Sequence, residues 1–132
     1  MFNTIPYLDI KFEYKGYQPK ARDCWGLCML IAKKRNILLP NINYKNYHLR
    51  QIHTLIEEKK EQDFKKVKPD IDTIAAFKIH NKICHVGYMI SEKEFIHIRE
   101  EIGVTVNKID DPKWKTFFEG CYKYIGDNNA SN

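Results

Sequence analysis

The sequence has no long apolar run. None of its hydrophobic stretches approaches the roughly 20 residues that a helix needs to cross a bilayer. The N-terminal residues also lack the basic start and apolar core of a secretory signal. We therefore expect a chain synthesised in the cytoplasm without a signal peptide and without a membrane span. No internal repeat or low-complexity linker divides it, so we predict one domain over residues 1–125 and a disordered tail at residues 126–132.

Cysteine is scarce, with four residues: Cys24, Cys28, Cys84 and Cys121. We do not expect disulfides, because they are rare in chains that lack an export signal. Zinc bound by Cys24, Cys28 and Cys84 is an alternative, although the second close cysteine pair typical of structural zinc sites is missing. We expect no metal and no cofactor, and we interpret Cys28, Cys84 and Cys121 as small buried side chains.

Positive charge is in excess, with a formal net charge of +5 and lysines spread along the chain. Such a diffuse field favours an acidic partner, for example an anionic cell-wall polymer, and it is equally consistent with solubility alone. The sequence lacks a clustered basic stripe or a base-stacking motif, so we do not expect nucleic-acid binding.

The first 22 residues, interrupted by proline and glycine, predict an extended arm and loop. A helix is then predicted to begin at Cys24, because Asp23 is a good N-cap and Leu27, Cys28 and Ile31 form an apolar stripe at helical spacing. A second helix is predicted over residues 48–61.

Strand patterns follow from residue 71 onwards. They are predicted over residues 71–79, 85–90, 95–99, around 104–106 and over 121–125, with a turn at 91–94. Helices first and strands later predict an α+β fold, in which a helix packs on an antiparallel sheet.

The candidate nucleophile is Cys24, because the dipole and free amides of a helix start stabilise a thiolate and lower its pKa. A cysteine at a helix start is, by itself, more often a buried structural residue. His85 and His97 share one face of a strand pair if residues of matching parity are opposite each other, and we expect that face to pack on the Cys24 helix. A base oriented by a third polar group is the general arrangement for activating a nucleophile.

Three motifs resemble those of the NlpC-type peptidases. The run Asp23-Cys24-Trp25-Gly26-Leu27 resembles their D-C-x-G-[LF] signature, His85-Val86-Gly87-Tyr88 their H-V-G-[IV]-Y strand, and Phe95-Ile96-His97 their F-[IV]-H. The resemblance covers residues 10–125. It implies a papain-like fold with N-terminal helices packed on an antiparallel sheet, a Cys24, His85 and His97 triad, and cleavage of peptidoglycan stem peptides.

Further features resemble the tail-associated peptidases of phages and gene transfer agents. They are Trp25 in the signature, Leu39-Pro40 after the helix, and the aromatic run Tyr122-Lys123-Tyr124 near the end. This resemblance implies a virion location at the tail tip, with other tail-tip proteins as partners. One alternative is a weak or inactive structural or binding protein on the same fold. Another is an enzyme acting on a different acyl group, such as a lipid or a protein amide.

The predicted substrate and oxyanion residues depart in part from the family pattern. Phe12 stands where family members usually carry a tyrosine, twelve residues before the nucleophile. Tyr14 and Tyr17 are the other candidates for supplying its hydroxyl. Asp23 and Trp25, which flank the nucleophile, complete this predicted set.

Overall fold

The computed structural model describes residues 2–12, 17–18, 21–37, 39, 64–80 and 82–125. The helix predicted over residues 48–61, the predicted tail at residues 126–132, and Tyr14 lie outside the described residues. Phe12, Tyr17 and Cys84 are described by their backbone alone.

The described chain alternates short N-terminal pieces, one long helix and a run of strands. A 3₁₀ turn at Ile5–Tyr7 precedes the first elements. In chain order these are β1 (Lys11–Phe12), β2 (Tyr17–Gln18), β3 (Ala21–Arg22), α1 (Cys24–Lys34), β4 (Phe64–Val67), β5 (Ile74–Ile79), β6 (Lys82–Met89), β7 (Glu94–Arg99), β8 (Gly103–Lys108), the single helical turn α2 (Pro112–Lys115) and β9 (Phe118–Tyr124).

The long strands form one antiparallel sheet in the order β4-β9-β5-β6-β7-β8, and the three N-terminal strands form a small sheet in the order β1-β3-β2. The predicted α+β class, with a helix packed on an antiparallel sheet, is confirmed. Within the described residues, no helix has the length and apolarity to cross a membrane.

Helix α1 begins where the capping pattern predicts. Asp23 has an extended backbone, and its Oδ1 accepts a hydrogen bond of 2.7 Å from the Gly26 N–H. This bond satisfies one of the free amides of the first turn. Lys33 and Lys34 occupy the last turn, where the macrodipole favours positive charge. The chain leaves the helix at Asn36, which has a positive φ of 60°.

Some element boundaries differ from the predicted ones. Strand β5 starts at Ile74 rather than at residue 71, because residues 71–72 form a turn in which Asp72 has a positive φ of 67°. Strand β9 starts at Phe118, three residues before the predicted position. The sequence analysis did not predict α2 or β4; β4 has only one fully buried side chain, Phe64, and therefore a weak apolar pattern.

The two faces of the sheet bury separate cores. One face packs on α1 and combines Trp25, Leu27, Cys28 and Ile31 with Val86, Tyr88, Ile96 and Ile98. The opposite face buries Ala75, Phe77, Met89 and Phe95 beneath Trp114 of α2. Burying one such large side chain contributes about 1.5–3 kcal/mol. The sheet thus has a core on each side. The candidate nucleophile Cys24 belongs to the core on the α1 side, whereas the candidate histidines contact Trp114 of the other core.

Candidate active site

The two candidate histidines are brought together by the pairing of β6 with β7. Tyr88 is opposite Ile96 and Met89 is opposite Phe95, which is the matching-parity register that the prediction requires. Because side chains alternate along a strand, this register places His85 and His97 on one face. Their rings meet with His85 Nε2 2.8 Å from His97 Nδ1.

Gly87 leaves room for two side chains of β7 next to the histidine pair. It lies between His85 and Met89 on the same face, one residue before the Tyr88–Ile96 pair of the β6–β7 ladder. A Cβ atom at this position would lie 2.6 Å from Phe95 Cδ2 and 3.3 Å from His97 Cβ. The glycine of the H-V-G motif therefore provides the space into which the Phe95 and His97 side chains pack.

A β-bulge lies immediately before His85. Phe77 is paired with His85 and Lys78 with Ile83, so Cys84 is an extra residue in β6. A bulge changes the direction of the neighbouring side chains. Here Ile83 joins the core on the α1 side, while the ring of His85 contacts Phe77 in the opposite core.

The expectation that the histidine face packs on the Cys24 helix is wrong. Helix α1 packs on the Val86 face of the sheet, and the histidines are covered instead by Trp114, whose ring centroid lies 5.8 Å from His85 and 4.8 Å from His97. The Cys24 thiol nevertheless contacts β6 next to His85, because it accepts a hydrogen bond from the backbone N–H of Val86. The β6–β7 ladder extends no further than the Tyr88–Ile96 pair, so this edge of β6 is available to the thiol.

The predicted lowering of the Cys24 pKa is also wrong. The side chain is 5% exposed, and its burial raises the pKa of the thiol to about 12. The negative charge of Asp23 raises it further, while hydrogen bonds from the backbone N–H groups of Val86, Trp25 and Cys24 lower it. The helix N-terminus contributes up to about 2 kcal/mol, whereas burying an ionised group costs several kcal/mol, so desolvation decides the direction.

Both histidines have pKa values far below their usual range. Burial lowers the pKa of His85 to about 3, and the nearby His97 and Arg99 lower it further. Burial likewise lowers the pKa of His97 to about 4, against the raising effect of its hydrogen bond to Asn107. The resting site at neutral pH therefore holds a neutral thiol and two neutral imidazoles.

Asn107 of β8 completes a chain of hydrogen bonds that the sequence analysis missed. Its Oδ1 lies 2.7 Å from His97 Nε2. An amide oxygen only accepts, so His97 carries its proton on Nε2 and presents a bare Nδ1 to His85. His85 then donates from Nε2, and its own Nδ1 remains the basic nitrogen. The alternation of Val104 and Val106 with polar residues was the signal that could have placed Asn107 on the histidine face.

Trp114 is the second residue of the site that was not predicted. It is 8% exposed and lies in α2, where Asp111 caps the turn by accepting a 3.0 Å hydrogen bond from the Lys113 N–H. An aspartate followed by Pro112 at the first helical position is a recognised helix start, so this sequence could have predicted the turn. It could not have shown that the turn folds over the histidines.

The residues predicted for the substrate and oxyanion site are only partly described. Asp23 is 1% exposed and caps α1, and Trp25 is fully buried with its ring edge-on to Phe64 at 6.3 Å. Trp25 therefore packs in the core beneath the nucleophile. The side chains of Phe12 and Tyr17 lie outside the described part of the structure. The functional roles predicted for these residues remain predictions.

Comparison with known proteins gives the family of the chain and two solved structures of similar fold. The sequence profile of the NlpC/P60 family matches residues 9–122. Among solved structures, the chain is similar to an NLP/P60-family protein, described as similar to lipoprotein, from Staphylococcus aureus subsp. aureus Mu50 (TM-score 0.64, 16% identity, 91% of this chain and 38% of that chain). It is also similar to an NlpC/P60 family protein from Bacillus cereus ATCC 10987 (TM-score 0.61, 19% identity, 90% of this chain and 37% of that chain).

The chain thus spans less than two fifths of the length of these two structures. A search of curated proteins finds no significant match. At these identities the structural likeness establishes the fold, and the profile match establishes the family.

Proposed function

Because the chain belongs to the NlpC/P60 family, whose members are typically cell-wall peptidases, we propose that it is a cysteine endopeptidase that cleaves the stem peptides of peptidoglycan. The observation that supports this most directly is the hydrogen-bonded series His85–His97–Asn107, at 2.8 and 2.7 Å. Val86, the neighbour of His85 in β6, donates a backbone hydrogen bond to the Cys24 thiol. A base oriented by a second polar group is what nucleophile activation requires.

The resting site is neutral, so activation is a proton transfer that accompanies substrate binding. His85 Nδ1 takes the proton of Cys24 as the sulfur attacks the carbonyl carbon of the scissile bond. The same proton then goes to the leaving amine as the C–N bond breaks, which leaves a thioester on Cys24. Water, deprotonated by His85, hydrolyses the thioester and restores the thiol.

The negative oxygen formed in each step needs donors that are already in place. The backbone N–H of Cys24 is our candidate for one donor, since it lies at the free N-terminus of α1. We propose a hydroxyl of the N-terminal loop, from Tyr14 or Tyr17, as the other. His97 holds the ring of His85 in the tautomer that keeps Nδ1 unprotonated.

A finer proposal concerns where the enzyme acts. Trp25, Leu39-Pro40 and the final aromatic strand resemble tail-associated phage peptidases, which favours a component of a virion tail tip that opens the wall locally and contacts other tail-tip proteins. In the structure, Tyr122 is buried in β9 and Trp25 is buried in α1. Neither aromatic residue is exposed to contact a partner, so this proposal depends on sequence resemblance.

A second candidate function is an inactive structural or binding component on the same fold. The burial of Cys24 and the raised pKa of its thiol favour this alternative, since a thiol of this kind is a weak nucleophile before substrate arrives. Phe12 in place of the family tyrosine points the same way. The two candidates differ in whether the chain breaks peptide bonds.

The decisive experiment is digestion of purified peptidoglycan, with the released fragments identified by mass spectrometry. Wild type is expected to release stem-peptide fragments, and Cys24→Ala none. Cys28→Ala is the matched control, because Cys28 is a fully buried thiol one turn further along the same helix. It should retain activity if it remains folded.

The pattern of release separates the alternatives. Release by Cys24→Ala equal to that of wild type would refute the assigned nucleophile. Absence of release by wild type, together with no labelling of Cys24 by a thiol-reactive peptide aldehyde, would favour the inactive component.

A further inference from the structure

A small cavity of about 210 Å³ opens beside His85, on the sheet face away from α1. Phe77 and Ile79 of β5 form one wall, and Trp114 and Phe117 form another. Whole-ligand pockets usually measure roughly 300–1,000 Å³, so this space suits one side chain or end group rather than an entire peptide.

Two positive charges flank this apolar space. Arg99, at the end of β7, and Lys113, in α2, both line the cavity. The Arg99 guanidinium lies 5.6 Å and the Lys113 ammonium 5.9 Å from the centroid of the Trp114 ring. Their charges also reach the site, because Arg99 lowers the pKa of both histidines and Lys113 that of His97.

Neither charge is neutralised by the part of the chain that the structure describes. The ion pairs found there join Arg35 with Asp72, and Lys66 and Lys78 with Glu119. Within those residues, no carboxylate lies within ion-pair distance of Arg99 or Lys113. Both cations line the same cavity, so an anion that enters it would be attracted by each of them.

We propose that this cavity is a subsite for a carboxylate carried by the leaving part of the substrate. The inference rests on the proposed endopeptidase, in which His85 protonates the leaving amine, so atoms attached to that amine lie next to the ring. The carboxylate binds between Arg99 and Lys113, and the carbon chain that carries it packs on Phe77 and Trp114. An arginine fork matches the two oxygens of a carboxylate, which favours this group over a neutral amide.

The test measures binding as well as turnover. A synthetic stem tetrapeptide with a free C-terminal carboxylate is titrated into the Cys24→Ala protein, followed by the same peptide ending in a carboxamide. The indole N–H signals of Trp114 and Trp25 are followed by NMR, since Trp114 lines the cavity and Trp25 is fully buried elsewhere. The acid is expected to shift the Trp114 signal and to bind about tenfold more tightly than the amide.

Charge variants locate the effect. Arg99→Gln combined with Lys113→Gln should abolish the preference for the acid, with both indole signals still dispersed as in the folded protein. Lys115→Gln is the matched control, because it removes the same charge from the same helical turn at a residue that does not line the cavity. It should keep the full preference.

Several results would overturn the proposal. They are equal binding of acid and amide, no response of Trp114, equal loss of preference in Lys115→Gln, or inorganic phosphate binding as tightly as the peptide acid. If wild type releases stem-peptide fragments from peptidoglycan but binds the peptide acid and the amide equally, the subsite is refuted and the endopeptidase is not. An acid preference with no release from peptidoglycan would refute the endopeptidase and establish the anion site.

Discussion

At the scale of single residues, the reactivity of Cys24 depends on two opposing effects. The helix start and three backbone amides favour the thiolate, while burial and Asp23 favour the thiol, and burial is the largest effect. The sequence identifies the helix start, because capping is local, but it does not identify the hydrogen bond from Val86, which lies in another element. Burial of the same atom depends on residues far away in the chain.

A first prediction concerns the pH dependence of alkylation. Because the pKa of Cys24 is raised to about 12, its rate of reaction with iodoacetamide should rise about tenfold per pH unit through the neutral range. A preformed thiolate–imidazolium pair would instead give a rate independent of pH in that range. The measurement is the extent of Cys24 modification over time, read by mass spectrometry.

Asp23→Asn provides the comparison for this measurement. Asparagine keeps an oxygen for the cap and removes the negative charge that raises the thiol pKa. The variant should therefore be alkylated faster than wild type at each pH. A fast, pH-independent reaction of wild type would contradict the neutral resting site.

A second prediction concerns Asn107 as a positioning residue for His97. Asn107→Leu removes the acceptor at Nε2 of His97, so the tautomer that leaves His85 Nδ1 unprotonated is no longer enforced. We expect kcat on peptidoglycan fragments to fall about tenfold with KM nearly unchanged, because one orienting hydrogen bond is lost.

Asn107→Asp distinguishes orientation from simple packing. A carboxylate keeps the acceptor, and its charge should raise the pKa of His97, so the acid limb of the pH–rate profile should move to higher pH. Leu and Asp variants with identical pH profiles would contradict the tautomer assignment.

At the scale of elements, the close packing of β6 against β7 depends on a glycine. Gly87 has no room for a Cβ atom, which would lie 2.6 Å from Phe95 Cδ2. The H-V-G motif thus has a packing reason in addition to its presence in the family pattern.

A third prediction follows for Gly87→Ala. The added methyl group displaces Phe95 and separates His97 from His85, so the free energy of unfolding should fall by about 1–3 kcal/mol. Activity should fall more than the loss of folded protein explains. Urea unfolding and peptidoglycan digestion measure the two effects. An unchanged unfolding midpoint together with full activity would contradict the predicted displacement of Phe95 and His97.

At the scale of the whole molecule, the histidine pair links the site to acid stability. The folded pKa values are about 3 for His85 and about 4 for His97, against 6.5 for an ordinary histidine. Between those values the unfolded chain binds more protons than the folded one. The free energy of unfolding therefore falls as the pH drops from about 6.5 towards 3, by up to about 1.4 kcal/mol per pH unit for each histidine.

A fourth prediction tests this link. His97→Gln should show a smaller loss of stability between neutral and acid pH than wild type, measured by urea unfolding at a series of pH values. His80→Asn is the control, because His80 is exposed in the β5–β6 turn with a positive φ of 53° that asparagine tolerates. A slope unchanged in His97→Gln would contradict the burial of a neutral His97.

The sequence by itself determined the features that depend on neighbours along the chain. Asp23 caps a helix that starts at Cys24, because a cap and an apolar stripe act within a few residues. Strand alternation and the spacing of the motifs predicted that His85 and His97 share a face, and the α+β class followed from the order of the patterns.

Tertiary structure alone decided which face of the sheet α1 covers, and with it the environment of the Cys24 thiol and of the two histidines. Periodicity shows that a strand has two faces without showing what packs on each. The contacts of Trp114 and Asn107 with His97 join residues from separate elements, and the direction of the Cys24 pKa shift depends on desolvation by the assembled core. Desolvation sums over everything packed around an atom, so no local pattern in the sequence determines it.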